Sequence, residues 1–467
     1  MSFVPFESFP NCCGLREARA VKACAQVALC FIIAGTPMSA LPADSSTPAE
    51  SRSAAGATIS LAEVASEALR ANPEIQAALK EREAAQHRVS PAGALDDPML
   101  EAGVINLPTD SLRFDREDMT MKMIGLSQRF PFSGKRELRR DVAARDAESV
   151  GHGFRETVNR VLREIRIAYY DLALAVESQR LIEKSRAVLG QLLKVAESRY
   201  AVGQGSQTDV LKAQTQFTRL LDELLRLERE RTMAEDEIGR LLARHGDFTP
   251  VLPALPAPTD APFLLETLQK TALQQRPQLL ALQGVVARSA RSLDLARKES
   301  LPDFDVKFAY GQRDNSPLGM KRSDMVTLTV AMNLPVWRET KTEPRIAQAV
   351  AMRGLAVDML HAQQYDVTTK LHHQIAAALQ NLKSLRLYER DILPVARLTL
   401  EAALAAYQVS RIDFVTLLDN QMSVFNYEIS SITALVGYHK AIAEMDFLTG
   451  KLAVDALGPA DKTGEEP

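Results

Sequence analysis

The stretch RYAVGQGSQTDVLKAQ, residues 199–214, recurs in altered form as AYQVSRIDFVTLLDNQ, residues 406–421. The two stretches share a tyrosine, a valine, a leucine and a glutamine at an offset of 207 positions (407 − 200): Tyr200, Val202, Leu211 and Gln214 match Tyr407, Val409, Leu418 and Gln421. Farther upstream, prolines repeat at an offset of 204 positions (277 − 73): Pro73, Pro98 and Pro131 match Pro277, Pro302 and Pro335. Self-similarity at a nearly constant spacing indicates a duplicated unit.

Helical periodicity dominates both copies. Ser60 and Glu63 are placed as a capping box at the start of a helical segment that extends to about residue 95, and Pro73 predicts a break within it. Farther on, apolar residues are spaced by 4, 3, 4, 3 and 4 positions, as in the seam of a coiled coil: Val158, Leu162, Ile165, Tyr169, Leu172 and Val176.

The longest helices are expected after the last repeated prolines. Residues 134–202 contain no proline, which predicts one helix of about 100 Å at 1.5 Å per residue. The matching helix of the second copy is expected over residues 337–408, with a kink at Pro394. A returning helix is predicted after each, over residues 207–244 and 414–448.

Between the repeated prolines the sequence changes to the period of two that is typical of strands. In the first copy, strands are predicted from Pro98 to Leu107 and from Met119 to Phe132. The second copy alternates more regularly, with apolar residues at Phe304, Val306, Phe308 and Tyr310 and then at Val326, Leu328, Val330, Met332 and Leu334. Runs of about 9–12 residues match the length of a tilted membrane-spanning strand.

Four such strands cannot close a transmembrane barrel, because the smallest barrels have about eight. An open sheet would leave unpaired backbone groups in lipid, so closure by identical subunits is expected. Two chains would supply about 8 strands and three chains about 12, and the long helices favour the wider conduit. A small soluble sheet packed on a helix is the alternative that shows the same alternation.

Composition and the N-terminus restrict the class of protein. The chain has 467 residues, 46% of them hydrophobic and 25% charged, with a net charge of −3. This composition favours folded domains over disorder, and the absence of a basic surplus argues against binding of nucleic acid. Three bases, Arg16, Arg19 and Lys22, precede an apolar stretch and then small residues, which predicts a secretory signal peptide over residues 1–40.

All cysteines of the chain lie in this segment, at Cys12, Cys13, Cys24 and Cys30. The exported chain would therefore contain no disulfide and no thiolate metal site. A later start codon and lipid attachment at Cys30 are open alternatives, although Leu29 stands where a small residue is expected before a lipidated cysteine. The remaining boundaries are predicted as a flexible leader over 41–58, a first repeat over 59–245, a Pro-rich linker over 246–262, a second repeat over 263–450 and a flexible tail over 451–467.

The duplicated order of helix, hairpin, long helix and returning helix, the two quoted stretches, and the sequence GLSQRFPFSGKRE from Gly125 to Glu137 resemble the TolC family of outer-membrane efflux proteins. The last motif is most similar to the heavy-metal, CzcC-like branch. The resemblance covers residues 59–450 and implies an α+β membrane protein. It would be a homotrimer with a 12-stranded β-barrel in outer-membrane lipid and a coiled-coil α-helical tunnel in the periplasm.

The family also implies a role and partners. Such a channel docks with a periplasmic membrane-fusion adaptor and an inner-membrane pump of the RND type. It conducts substrate passively to the exterior, and heavy-metal cations are the expected cargo. Two alternatives are the duct of a drug or organic-compound efflux system and, in a different class, a periplasmic coiled-coil adaptor. An adaptor would carry a β-rich lipoyl-like domain between its helices, whereas these strands lie at the opposite helix ends from the turns.

The resemblance assigns site residues to the tunnel end. The turns that dock the adaptor would contain Tyr200, Gly203, Gly205, Ser206, Tyr407, Ser410 and Asp413. Gly203 permits a sharp reversal, whereas Ser410 replaces it in the second copy. Polar groups just inside the returning helices close the tunnel in the family, and the matching residues are Asp209, Thr416 and Asp419. In a trimer, Asp419 would form a ring of three carboxylates that favours cations.

Other candidate sites are weaker. His372 and His373 are adjacent, so they point about 100° apart on a helix and cannot chelate as an i, i+4 pair does. Met119, Met121 and Met123 are soft ligands on one strand face, but such a row more often packs in a lumen or against lipid. No nucleophile with an adjacent base and no phosphate-binding glycine loop is visible. We expect no enzymatic activity, no cofactor and no resident metal.

Overall fold

The computed structural model describes residues 60–244, 255–259 and 263–458. The predicted signal peptide and leader, most of the predicted linker and the end of the predicted tail lie outside these residues. The first copy contains α1 (Leu61–Ala71), α2 (Pro73–Ala92), β1 (Met99–Ile105), β2 (Met121–Phe130), α3 (Lys135–Ala201) and α4 (Gln207–Leu241). The second contains α5 (Leu265–Gln275), α6 (Pro277–Lys298), β3 (Phe304–Gln312), β4 (Met325–Met332), α7 (Glu343–Leu387), α8 (Leu393–Gln408) and α9 (Phe414–Thr449), followed by α10 (Lys451–Leu457).

The capping box and the break at Pro73 are confirmed. Ser60 and Glu63 cap each other reciprocally at the start of α1. Asn72 ends α1 and caps α2, because its side-chain oxygen accepts hydrogen bonds from the amides of Glu74 and Ile75 at 2.8 and 3.2 Å. Pro73 occupies the first turn of α2, where its missing N–H costs nothing.

The first long helix is continuous, as predicted, whereas the second is divided. α3 extends over 67 residues. In the second copy, π-helical turns occupy Arg338–Thr342 and Tyr388–Ile392, on either side of α7. The latter turn ends two residues before Pro394, which cannot donate to the helical hydrogen-bond ladder, so the predicted irregularity takes the form of an inserted wide turn.

The predicted seam of α3 is the centre of the core. Val158, Ile165 and Leu172 are completely buried, and they belong to one cluster with Ile238 of α4 and Leu371 of α7. Each such side chain contributes roughly 1.5–3 kcal/mol by leaving water. The seam therefore joins the long helices of both copies.

The strands form one antiparallel sheet in the order β1-β2-β3-β4. The strands have 7, 10, 9 and 8 residues: β1, β2 and β4 are shorter than predicted, whereas β3 extends slightly beyond its predicted range. β1 ends early because Asn106 turns to a positive φ of 54° and its carbonyl accepts a hydrogen bond from the Thr120 hydroxyl. Pro131 and Pro335, which cannot donate to a ladder, follow β2 and β4.

The two faces of the sheet differ sharply. Residues that lie directly opposite one another form an apolar row across all strands, Leu100, Leu126, Phe308 and Leu328, and each of these side chains is at least half exposed. On the other face, Lys307 forms an ion pair with Glu101, and Ser127, Asp305, Thr327 and Thr329 share this polar side.

The start of the predicted flexible tail is helical instead. Gly450 adopts a left-handed φ of 76° that ends α9 and permits a change of direction into α10. Leu452 and Ala453 of α10 are then buried at 1% and 0% exposure. The prediction of a tail from residue 451 was wrong over Lys451–Leu457, because burial of these two side chains stabilises the helix. Among the described residues, no helix is both long enough and apolar enough to cross a bilayer.

Candidate functional site

The first helix hairpin reverses at the turn between α3 and α4. Gly203 has a φ of 75°, and its amide donates to the Tyr200 carbonyl at 3.0 Å while the Gln204 amide donates to the Arg199 carbonyl at 2.9 Å. A left-handed residue with these two bonds closes the end of α3, and glycine adopts it without steric cost. Ser206 then caps α4.

The second hairpin uses the same turn with different residues. Ser410 has a φ of 56°, its amide donates to the Tyr407 carbonyl at 3.0 Å, and the Arg411 amide donates to the Ala406 carbonyl at 2.9 Å. These are the same two bonds at an offset of 207 (407 − 200). Ser410 thus adopts the conformation that glycine has in the first copy and carries its strain, roughly 1–2 kcal/mol for a non-glycine residue.

Gly205, the second glycine of this turn, is required because a larger side chain would not fit, and not because of its backbone φ. A β-carbon on Gly205 would lie 3.1 Å from the Tyr200 amide nitrogen and 3.2 Å from the Arg199 carbonyl carbon. A side chain there would push the end of α3 away from the start of α4. By contrast, a β-carbon on Gly203 would meet nothing within 4 Å.

The acidic residues at both turns cap the returning helices. Asp209 completes a capping box with Ser206 at the start of α4. Asp413 caps α9: its Oδ1 accepts from the Thr416 amide at 3.1 Å and from the Thr416 hydroxyl. These bonds, led by the hydroxyl contact, hold the pKa of the Asp413 carboxyl below its usual range.

Of the three residues predicted to close the tunnel, Asp419 is the one whose side chain has no hydrogen-bond partner among the described residues. Its side chain is exposed on α9, one turn beyond exposed Thr416, and only its backbone carbonyl accepts a bond, from the Ser423 hydroxyl at 2.8 Å. Asp209 and Thr416 are engaged in the caps described above. In the first copy, the position that matches Asp419 is Lys212 (419 − 207), so the duplicated turns carry opposite charges there.

Arg199 joins the two turns, and the sequence analysis missed it. Its guanidinium carbon lies 4.2 Å from the centre of the Tyr407 ring, and its Nη2 donates to the carbonyls of Tyr407 and Gln408 at 3.2 and 3.3 Å. The Tyr407 ring also packs on Phe414 at a centroid distance of 5.8 Å. The sequence did contain one indication of this residue: the two copies differ here, since Ala406 occupies the position that matches Arg199.

The matching tyrosines consequently have different surroundings. Tyr407 is 7% exposed and belongs to a core cluster with Phe414, Leu417 and Leu189, whereas Tyr200 is 49% exposed. Val202 and Val409, which follow the tyrosines in the two turns, are also exposed. The exposed side chains at the hairpin ends are thus Tyr200 and Val202 in the first turn and Val409 in the second.

The other predicted candidates lie elsewhere. His372 and His373 are exposed on α7, far along the chain from the turns. Met121 and Met123 lie in β2 on the polar face of the sheet, while Met119 precedes the strand. Within 60–244, 255–259 and 263–458, no group of three or more histidine, cysteine, aspartate or glutamate side chains is placed to hold a metal ion.

Comparison with known proteins finds one matching family and relatives that align over most of this chain. A family model described as "Outer membrane efflux protein" matches residues 64–244 and 268–451, which are the two copies. The cobalt-zinc-cadmium resistance protein CzcC of Cupriavidus metallidurans is 22% identical over 420 residues, covering 87% of this chain and 93% of that protein. The outer membrane protein TolC of Vibrio cholerae is 22% identical, covering 84% of this chain and 91% of that protein.

Solved structures show the same fold. The crystal structure of CusC, described with conformational changes that accompany folding and transmembrane channel formation, matches with a TM-score of 0.69 at 13% identity. The match covers 83% of this chain and 91% of that one.

Proposed function

This chain belongs to the family of outer membrane efflux proteins, and on that premise we propose that it is the exit duct of a tripartite RND-type efflux system. The family confirms the predicted resemblance, fold class and location in the outer membrane. Trimer formation, partners and cargo belong to the proposal.

The observation that carries the proposal is the four-stranded sheet with one apolar face and two edges. Within the described residues, β1 and β4 have no strand partner on their outer sides. Each unpaired backbone group in lipid costs about 1–3 kcal/mol, so an open sheet of this kind is not stable in a bilayer. Three chains, joined edge to edge, give a closed barrel of 12 strands whose apolar face meets lipid.

The helices supply the rest of the conduit. α3 alone is about 100 Å long, which far exceeds the thickness of one bilayer. Since the turns and the strands lie at opposite ends of α3, the barrel and the hairpin turns are separated by this length. We propose that the helices of three chains form a tunnel across the periplasm, with the turns as its inner end.

The turns are the surface proposed for the partners. Tyr200, Val202 and Val409 are exposed there although each is apolar or aromatic. Tyrosine is enriched in protein interfaces, and exposed apolar side chains grouped together mark interaction sites, so the surface suits a periplasmic membrane-fusion adaptor. The adaptor in turn would connect the duct to an inner-membrane RND pump, which supplies the energy. The duct itself is proposed to conduct passively and to catalyse no reaction.

Heavy-metal cations are the proposed cargo. The support is the name of the relative CzcC, a cobalt-zinc-cadmium resistance protein, together with exposed Asp419 near the tunnel end. A ring of carboxylates attracts cations by plain electrostatics. Because a wide duct selects little, an organic cargo is the second outcome that the experiment must distinguish.

The test combines localisation with susceptibility. A strain without the gene should become sensitive to cobalt, zinc and cadmium salts, and the wild-type gene should restore resistance. Chemical crosslinking of outer-membrane fractions should trap a trimer. Recovery as a soluble periplasmic monomer would exclude the duct and favour an adaptor. Sensitivity only to organic compounds would retain the duct and exclude the metal cargo.

A further inference from the structure

A buried ion pair fixes the junction between sheet and helices inside the chain. Lys135, at the start of α3, is 2% exposed, and its Nζ donates to the Leu301 carbonyl and to Asp303 Oδ1, both at 2.7 Å. Asp303 also accepts from the Phe132 amide at 3.0 Å and from Arg129 at 3.1 Å. The entry to α3 in the first copy is thereby joined to the entry to β3 in the second.

The duplicated junction lacks this pair. At the offset of 204 set by Pro131 and Pro335 (335 − 131), Glu339 matches Lys135 and Met99 matches Asp303. We call residues 334–341 the exit segment, because the chain leaves β4 through them, and residues 95–99 the entry segment, which leads into β1. The Lys135–Asp303 pair has no counterpart at the matching positions, because Glu339 and Met99 cannot form an ion pair.

Both segments expose apolar side chains instead. In the exit segment Leu334, Val336 and Trp337 are 64%, 69% and 70% exposed, and in the entry segment Leu95 and Met99 are 37% and 66% exposed. Exposed apolar side chains that are contiguous in the chain mark a contact surface more often than a solvated one.

Charges on the two segments are complementary. The exit segment carries exposed Arg338 and Lys341 with one exposed acid, Glu339, between them, and the entry segment carries exposed Asp96 and Asp97, so their net charges are opposite. Arg338 also makes a solvent-exposed ion pair with Glu343 at 3.4 Å. Opposite charges on facing surfaces steer association and fix its register.

The two segments cannot meet within one chain. They continue from β4 and β1, the opposite edges of the sheet, which are separated by three inter-strand spacings of about 4.8 Å each. Closure of β4 of one subunit against β1 of the next would place the exit segment beside the next subunit's entry segment. This is the same arrangement in which the first copy meets the second inside the chain.

We propose that Trp337 and its neighbours dock on the entry segment of the next subunit, with Arg338 and Lys341 facing Asp96 and Asp97 there. The inference rests on the trimer proposed above and assigns its junction contact. Each subunit boundary then has an apolar contact rimmed by ion pairs, whereas the junction inside each chain has the buried pair of Lys135 and Asp303. Trp337 would become buried only when the trimer closes.

Trp337 is the only tryptophan of the chain, so intrinsic fluorescence reports this contact without labels. The full-length protein is reconstituted in phosphatidylcholine vesicles, and quenching by aqueous acrylamide and by brominated phosphatidylcholine is measured. The proposal expects weak quenching by both. Strong quenching by the brominated lipid would show a tryptophan at the membrane interface, which is a common location for this residue, and would overturn the proposal. Strong quenching by acrylamide would overturn it as well.

Charge reversal tests the facing residues. Asp96→Arg with Asp97→Arg, or Arg338→Glu with Lys341→Glu, should weaken trimer association about tenfold, as measured by subunit exchange in detergent. All four changes together should restore most of it. Asp110→Arg, at a residue paired with Arg116 in the β1–β2 loop, is the matched control and should have no effect.

The two proposals fail separately. A wild-type trimer whose association is insensitive to both reversals would refute the junction contact and leave the duct intact. A wild-type chain that forms no trimer in the outer membrane would refute both.

Discussion

The guanidinium of Arg199 covers the ring of Tyr407 at 4.2 Å and donates hydrogen bonds to the carbonyls of Tyr407 and Gln408. This contact joins the turn of the first copy to that of the second. Because Ala406 matches Arg199, a trimer could not repeat it between one chain's second turn and the next chain's first turn. The Arg199 contact therefore joins the two turns of each chain, and it would not form between the turns of neighbouring chains.

Removal of the Arg199 contact should loosen the tunnel end. We expect Arg199→Ala to raise single-channel conductance in planar bilayers, because the second turn loses a cation–π contact and two hydrogen bonds, together worth about 1–3 kcal/mol. Arg180→Ala on the same helix, where exposed Arg180 pairs with partly buried Glu177, is the control and should conduct as wild type does. Equal conductance of both variants would show that Arg199 does not restrain the opening.

Asp419 should influence ion selectivity. We expect Asp419→Asn to lower the preference for cations over anions and to reduce block by multivalent cations, since a ring of three charges would be lost. The reversal potential in a salt gradient measures the first effect. Glu228→Gln, an exposed acid on α4 away from the turns, serves as control. An unchanged reversal potential in Asp419→Asn would place this residue outside the conducting path.

Substitution of Gly203 and Ser410, the two residues with a left-handed backbone, should change the stability of their turns in opposite directions. Gly203→Ala should destabilise the first turn by about 1–2 kcal/mol through backbone strain alone, because its β-carbon would meet no neighbour. Ser410→Gly should relieve the same strain in the second turn. Hydrogen exchange of the amides around each turn measures both changes, and faster exchange in Ser410→Gly would contradict the assignment of strain to this residue.

The buried pair of Lys135 and Asp303 should be sensitive to loss of one partner. The side chain of Lys135 is 3% exposed and that of Asp303 10%. We expect Lys135→Met to lower the free energy of unfolding by about 3–5 kcal/mol, because the carboxylate would lose its main partner. Lys135→Met with Asp303→Asn should recover part of the loss in thermal unfolding. A double variant that is no more stable than Lys135→Met would indicate that packing, and not charge, sets the cost.

His439 should make stability depend on pH. Its ring is stacked on Tyr170, and its Nε2 lies 2.9 Å from the Pro256 carbonyl oxygen, so the neutral ring with a proton on Nε2 donates to it. Burial lowers the pKa of His439. In the unfolded chain this histidine has a pKa of about 6.5 and takes up a proton more readily than in the folded chain. The contribution of His439 to the free energy of unfolding is therefore fully present above about pH 6.5 and declines as the pH falls below it.

The measurement for His439 is the difference in thermal unfolding midpoint between about pH 7.5 and pH 5.5. This difference should be smaller in His439→Gln than in wild type. His373→Gln, at an exposed site, should retain the wild-type difference. Variants must be compared because Glu156 also makes stability depend on pH. Burial raises the pKa of its carboxyl, so its contribution to stability falls as the pH rises, which is opposite to the effect of His439.

The sequence alone determined the features that depend on nearby residues. The break at Pro73, the seam of α3 and both helix hairpins follow from backbone constraints and helical periodicity, which are local. The alternation in β3 and β4 was equally plain, although the ends of the strands were not, since Asn106 and Thr120 terminate β1 through a contact across the hairpin loop.

Only the tertiary structure decided the features that join distant residues. Arg199 and Tyr407 are 208 positions apart, and Lys135 and Asp303 are 168 apart. No local pattern indicates which helix end a long side chain will meet, because that depends on how the two copies pack. For the same reason α10 was missed: its helix is stabilised by burying Leu452 and Ala453 against distant helices, and a seven-residue segment is too short to be stable by itself.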